Sequence, residues 1–250
     1  MVAPIALQLY TVRDALAADL EGTLKRVADI GFVGVEPWNG IDPQQTKSLL
    51  DKLGLQVFSL HAPPAVGDAA DDVFRMIDIY ELDNVVIPFL PPEKFITHEG
   101  IAEMIAIVNE AYENVSAKGI KMGYHNHDFE FVTLADGTLA YDAFLAQLHP
   151  DIFIELDTYW ANLSGQDVPA LLKKIQRPVP YLHIKDGPGE ERNAPQVAAG
   201  DGIMDIPAII NSHDADWLVV ELDSCATDML EAVEKSYQYL TSNGLSRGKK

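Results

Sequence analysis

Eight short apolar runs, each followed by a stretch with helical periodicity, constrain this chain more than any single residue does. The runs span residues 5–11, 34–38, 56–61, 84–90, 121–127, 153–157, 181–186 and 217–223, and they carry the β-branched and aromatic residues that favour strands. Apolar residues recur at helical spacing over 19–30, 43–53, 71–82, 99–118, 139–148, 168–175, 206–211 and 228–240, and Gly31, Gly54 and Gly119 stop three of these helices. Strands joined through helices pair in parallel, because only a crossover of about a dozen residues or more returns the chain to the same end of the sheet. Eight such units predict a (β/α)8 TIM barrel, a single α/β domain over residues 1–241, with the polar residues 242–250 as a loose tail. A doubly wound open sheet is the competing architecture, but no Gly-x-Gly-x-x-Gly turn follows the first strand.

The 250-residue length and 48% hydrophobic content suffice for one large core. A net charge of −20 opposes attraction to nucleic acid or anionic lipid, both of which are held first by basic surface. The expected partner is therefore a small molecule, with no nucleic acid and no membrane; a homo-oligomer is compatible with this composition. The single Cys225 excludes an internal disulfide framework. The first residues enter an apolar strand without a charged leader, and no run reaches membrane-spanning length, so a cytoplasmic location is expected.

In a closed parallel barrel, catalytic groups gather at the C-terminal strand ends. There the chain places Gln8, Glu36, His61, His125, His127, Glu155, Asp157, His183, Lys185, Glu221 and Asp223. Alternate strand residues share a face, so four i, i+2 pairs of charged or imidazole side chains point the same way. Buried charges need a partner or a metal, and clusters of N and O donors suit a divalent cation. Blander readings accompany several of these residues. His61 fits a hydrogen-bonded structural histidine or a substrate contact, Glu36 a simple partner for a base, and Glu155 a supporting carboxylate one pair deeper than Asp157. Trp160 fits packing or the apolar wall beneath a sugar ring. Lys185 shares a face with His183 and is placed to bind or polarise an oxygen. Arg192, in the polar insertion 188–202, fits a substrate anion or a solvated loop.

Several motifs in order resemble the sugar phosphate isomerase/epimerase family, the xylose isomerase-like TIM barrels: Gln8-Leu9-Tyr10-Thr11-Val12-Arg13, Tyr124-His125-Asn126-His127-Asp128-Phe129-Glu130-Phe131, Glu155-Leu156-Asp157-Thr158, Leu182-His183-Ile184-Lys185-Asp186-Gly187, Gly200-Asp201-Gly202 and Glu221-Leu222-Asp223. The resemblance runs from the first strand to the last. It implies a divalent metal (Mn²⁺, Co²⁺, Mg²⁺ or Zn²⁺) held by a Glu, Asp, His, Glu set, which carries over as Asp157, His183 and Glu221. The fourth ligand is expected to be Glu130, with His127 as the alternative, because His125 and His127 stand where epimerases of the family place a Glu. The implied chemistry is sugar or sugar phosphate isomerisation or epimerisation through a metal-stabilised enediolate. Glu130, Glu221, His127 and Lys185 are the expected catalytic groups, and His61, His125, Glu36, Trp160 and Arg192 the expected substrate contacts. The His-x-His pair also resembles the branch containing inosose dehydratase and keto-glycoside lyases. A non-catalytic sugar-binding module and an AP-endonuclease-like nuclease are further readings, the latter opposed by the acidic charge.

Overall fold

The computed structural model describes residues 2–189 and 191–249. Its strands are β1 (Ile5–Gln8), β2 (Gly34–Glu36), β3 (Gln56–Val57), β4 (Asn84–Ile87), β5 (Lys121–His125), β6 (Phe153–Asp157), β7 (Tyr181–Ile184) and β8 (Trp217–Val220). All pair in parallel, in the order β3-β2-β1-β8-β7-β6-β5-β4. The seam between β3 and β4 closes through a single bridge, His61 to Val86, while Trp38 pairs with His61 from the β2 side. Two backbone bonds fix this closure: Ala62 N donates to Val86 O at 3.0 Å, and Val86 N to Leu60 O at 2.9 Å. Asn84 adds a side-chain strap, donating from Nδ2 to Phe58 O at 2.8 Å. The sheet is thus the predicted barrel.

Around it lie α1 (Arg13–Ala18), α2 (Leu20–Ile30), α3 (Pro43–Leu53), α4 (Ala69–Tyr80), α5 (His98–Ser116), α6 (Ala140–Leu145), α7 (Thr158–Leu163), α8 (Val168–Lys174), α9 (Ile206–Asn211) and α10 (Met229–Ser242). Their ends follow from local chemistry. Asp42 accepts from Gln45 N ahead of Pro43, which suits the first turn, and Gly54 closes α3 at φ 64°, a left-handed geometry that glycine adopts without strain. The short α1 and α7 were not apparent from periodicity. α7 exists because Asp157 caps it, accepting from Trp160 N at 2.9 Å; a strand-end side chain starts the next helix.

Most of the core lies between sheet and helices. Inside the barrel, Ala6, Phe58 and Val219 form a separate apolar floor with Tyr181 and Trp217, where Phe58 stacks on Trp217 at 4.6 Å. Two residues further along their strands the interior turns polar, at Gln8, His183 and Glu221. Every strand but β6 ends earlier than its apolar run suggests, and His61, His127, Lys185, Glu221 and Asp223 lie just past the ladder. The tail also departs from expectation. Residues 242–249 do not hang free: Arg247 N donates to Ala3 O at 2.9 Å, Ile5 N to Arg247 O at 3.0 Å, and Ser246 Oγ to Ala3 O at 2.8 Å. The segment extends the pairing of the first strand, and Leu245 packs on the core. Among the described residues, no helix is long and apolar enough to cross a membrane.

Replacing Asn84 with Ala leaves the Phe58 carbonyl unpaired at the closing seam, which costs about 1 to 3 kcal/mol. Urea denaturation should show this as a lower midpoint with an unchanged slope; an unchanged midpoint would mean the strap does not hold the seam.

Candidate active site

Strand register brings the polar side chains together. His125 lies opposite Glu155, Asp157 opposite His183, and Gln8 opposite Glu36. With period two along each strand, these side chains enter the barrel mouth above the apolar floor. Glu36, His61, His125, Glu155, Asp157, His183, Lys185 and Glu221 are all buried there.

Glu155 is the hub of the deeper half. Its Oε2 lies 2.5 Å from His61 Nε2, 3.1 Å from His125 Nδ1 and 3.2 Å from His183 Nε2. Burial pushes its pKa up, but His183, His61 and the bond from His125 outweigh this and hold it well below the usual carboxylate value. Glu36 completes this half: its Oε2 accepts from Gln8 Nε2 at 2.9 Å and lies 3.0 Å from His183 Nε2. Burial and the nearby Glu155 raise the Glu36 pKa. Burial opposes charge on His61 and His183, yet the carboxylates around them prevail and raise both.

The shallower half is centred on Lys185. Its ammonium lies 2.9 Å from Asp157 Oδ2, 2.9 Å from Glu221 Oε2 and 2.7 Å from Asp223 Oδ2. The Asp157 contact is an ion pair without hydrogen-bond alignment, so Oδ2 remains a buried acceptor without a donor. Burial opposes charge on Lys185, but Asp157, Asp223 and Glu221 keep it firmly protonated. Glu221 also pairs with His183 Nδ1 at 2.7 Å; burial raises its pKa, and Lys185 and His183 outweigh that and pull it well below normal. Burial lifts Asp157 to about 6.

A cation test follows from these donors. One ligand atom each from His125, Asp157, His183 and Glu221 fall within 4.8 Å of one another, and so do those of His61, His125, Glu155 and His183. Two imidazoles and two carboxylates make a mixed N/O set suited to a divalent ion. Asp157 fits in detail, because its Oδ1 is tied to the α7 cap while Oδ2 faces the cluster, beside the Lys185 ammonium but without a hydrogen-bond donor. His125 has its pKa held well below normal by burial, which keeps it in the neutral, ligating form. The residues present therefore fit a divalent metal.

Glu130 is not brought into either group. After His125 the chain leaves the strand, and the turn at Phe129–Phe131 folds the Glu130 carboxylate back beneath β5. There Oε1 accepts from Tyr124 OH at 2.6 Å and Oε2 from His127 N at 2.9 Å. His125 fills the strand-five place in the ligand cluster. Burial raises Glu130 to about 8 despite those two donors.

His127 points into a cleft of about 350 Å³ whose walls include His61, His125, Glu221 and Asp223. Its ring stacks on Phe129 at 5.4 Å, and Nδ1 has no partner. Burial and the charge of Lys185 lower its pKa to about 3, so it is a neutral base at physiological pH. Trp160 is packed behind, with Lys185 Nζ 5.3 Å and Arg192 Cζ 5.5 Å from its ring. Arg192 is ion-paired with Asp128 and stays 43% exposed.

Two positioning residues escaped the sequence reading. Asn126 reads the backbone of Asp157 in both directions, accepting from its N at 3.0 Å and donating to its O at 3.3 Å. Gln196, from the insertion after β7, accepts from Asp223 N at 2.8 Å and donates to Asp223 Oδ2 at 3.2 Å. For Asn126, its place between two site histidines was the available signal; Gln196 has none.

A closed parallel barrel with a buried imidazole–carboxylate cluster at its C-terminal mouth defines the class. The chain belongs to the xylose isomerase-like TIM barrel family, whose model matches residues 24–241. A solved structure similar to it is a sugar phosphate isomerase/epimerase from Parabacteroides distasonis, 25% identical, with a TM-score of 0.81 and coverage of 99% of this chain and 96% of that one. An L-ribulose 3-epimerase shares the fold at 19% identity and a TM-score of 0.69, with 97% and 94% covered. An inosose dehydratase from Erwinia tasmaniensis is 26% identical over an alignment of 156 residues, with 53% of this chain and 51% of that protein covered, so the match spans about half the dehydratase's length.

Glu130 gives a stability prediction. Because its carboxyl ionises at 4.5 when unfolded and at about 8 when folded, rising pH ionises the unfolded chain first. Its contribution is thus complete below 4.5 and is lost as pH rises toward about 8, at up to about 1.4 kcal/mol per pH unit. Glu130→Gln should flatten the stability profile across that window in denaturant titrations; an equally steep profile in the variant would assign the loss to other groups.

Proposed function

We propose that the protein is a divalent-metal-dependent sugar isomerase/epimerase that moves a proton next to a carbonyl. The observation that carries this reading is the convergence of His125, Asp157, His183 and Glu221 beside an open cleft. His125, Asp157, His183 and Glu221 would hold the ion, with His125 in the place first expected for Glu130. When bound, such an ion polarises the substrate carbonyl and disperses the negative charge of an enediolate.

The chain's own residues supply the remaining parts. His127, neutral and lining the cleft, is placed to take a proton from carbon. Glu221 and Asp223 line the same cleft from the β8 end, so proton-accepting groups flank it on two sides, as inversion at one carbon requires. Lys185 ties Asp157, Glu221 and Asp223 together; only the 32%-exposed Asp223 could release it toward a substrate oxygen. His61 and Glu36 orient His183 and Glu155 from the opposite side. Trp160 and Arg192 form the outer wall behind His127.

Dehydration is the second reading, favoured by the half-length match to an inosose dehydratase. A β-oxygen leaves in that reaction after the same proton removal, so product analysis separates the two.

Dialysis against chelator should abolish turnover of a keto-sugar panel and Mn²⁺ or Co²⁺ should restore it. Unchanged turnover after verified metal removal would sink the metal requirement. In D₂O, the product should carry deuterium next to the carbonyl, and His127→Ala should slow that incorporation by a hundredfold or more, about the contribution of a positioned base. Wild-type rates in the variant would remove His127 from the proton path.

A further inference from the structure

Two of the four groups that would hold an ion are shared with a cation that the chain itself carries. The Lys185 side chain is fully buried, and its ammonium lies 2.9 Å from Asp157 Oδ2 and 2.9 Å from Glu221 Oε2. These same oxygens are turned toward the imidazoles of the cluster: Glu221 Oε2 is 2.7 Å from His183 Nδ1, and Asp157 Oδ2 is 3.7 Å from His125 Nε2. The other Asp157 oxygen caps α7, which leaves Oδ2 as the one that faces the cluster. An ion held by His125, Asp157, His183 and Glu221 therefore shares its carboxylate oxygens with the ammonium.

Sharing brings two positive charges together. A carboxylate oxygen can touch a lysine and a metal ion at once, but the two cations then stand a few ångströms apart among buried groups, where repulsion is little screened. A divalent ion carries twice the charge of the ammonium to the same carboxylates. It wins the contest if the ammonium has somewhere to go.

The structure provides that place. The ammonium donates an aligned hydrogen bond to Asp223 Oδ2 at 2.7 Å, whereas Asp157 Oδ2 receives no hydrogen bond. Asp223 belongs to neither ligand cluster, and its 32% exposure makes it the least buried of the three carboxylates around Lys185. It is also fixed independently of them. Its N donates to Gln196 Oε1 at 2.8 Å, its Oδ2 accepts from Gln196 Nε2 at 3.2 Å, and its O accepts from Arg13 Nη2 at 2.9 Å. Gln196 is anchored in turn, its carbonyl accepting from Ala226 N at 3.0 Å. Asp223 is thus a rigid acceptor on the wall of the cleft, within reach of the ammonium and outside the ligand set.

We propose that Lys185 is a tethered competitor for the metal site, and that an entering divalent ion displaces its ammonium from Asp157 and Glu221 onto Asp223. Lys185 then sets the affinity of the site, and Gln196 and Arg13 are positioning residues that hold Asp223 ready to receive it. The inference rests on the proposed metal site and adds how that site is filled.

Calorimetric titration with Mn²⁺ at fixed pH and ionic strength tests it. Lys185→Met should bind Mn²⁺ about tenfold tighter than the wild type, or more; equal or weaker binding would overturn the inference. Asp223→Asn should weaken Mn²⁺ binding by about tenfold when Lys185 is present and by no more than about threefold in the Lys185→Met background, because interacting groups give non-additive effects. An equal loss in both backgrounds would make Asp223 a plain nearby charge and overturn its part as receiver. Should a substitution prevent folding, wild-type crystals with bound Mn²⁺ decide: the ammonium should leave Asp157 and Glu221 and keep its bond to Asp223. An ammonium still touching all three carboxylates beside the ion would overturn the inference. Failure of the metal site itself looks different. No Mn²⁺ bound by the wild type or by Lys185→Met removes the site and the inference together, while equal binding by both leaves the site standing and removes the competition alone.

Discussion

Everything at the mouth of this barrel answers to one constraint, the burial of several carboxylates within a few ångströms of one another. Glu36, Glu155, Asp157 and Glu221 are removed from water, and charges so placed are tolerated only when neutralised nearby. The protein supplies that neutralisation with His61, His183 and Lys185, whose pKa values are all raised by the carboxylates they face. The arrangement is thus poised for positive charge, whether carried by protons on the chain or by a bound divalent ion. Binding of an ion would release protons from imidazoles that ligate it.

The barrel makes this density of charge geometrically cheap. Parallel register sets His125 beside Glu155 and Asp157 beside His183, while Phe58, Tyr181 and Trp217 pack as an aromatic floor below. Loops then lock individual oxygens. Asp157 gives one oxygen to the α7 cap and its backbone to Asn126, which leaves the other oxygen aimed at the cluster. Asp186 gathers four amides and sets the path of the long insertion after β7, from which Gln196 reaches Asp223. The buried cluster and the loop structure are built from carboxylates of the same strand ends.

The architecture was legible because periodicity is a local signal: eight strand-like runs alternating with helical ones admit few closed arrangements. Alternation along strands also put Glu155, Asp157, His183 and Glu221 on the interior face. The signal stops where the strand stops. Beyond His125 the chain turns at Asn126, period two no longer applies, and the sequence could not tell that Glu130 folds back to Tyr124 rather than forward to the cluster. Neither could it foresee that His61 and Glu155, 94 residues apart, meet at 2.5 Å, since that contact depends on closure of the barrel. The tail carries no periodicity, and its pairing with Ala3 and Ile5 is set by where α10 ends.

Anomalous diffraction from crystals soaked in Mn²⁺ tests the central claim most directly. The account predicts a single strong peak enclosed by His125, Asp157, His183 and Glu221, with Lys185 drawn toward Asp223. A peak beside Glu130, or none at the cluster while Mn²⁺ is bound elsewhere, would contradict it.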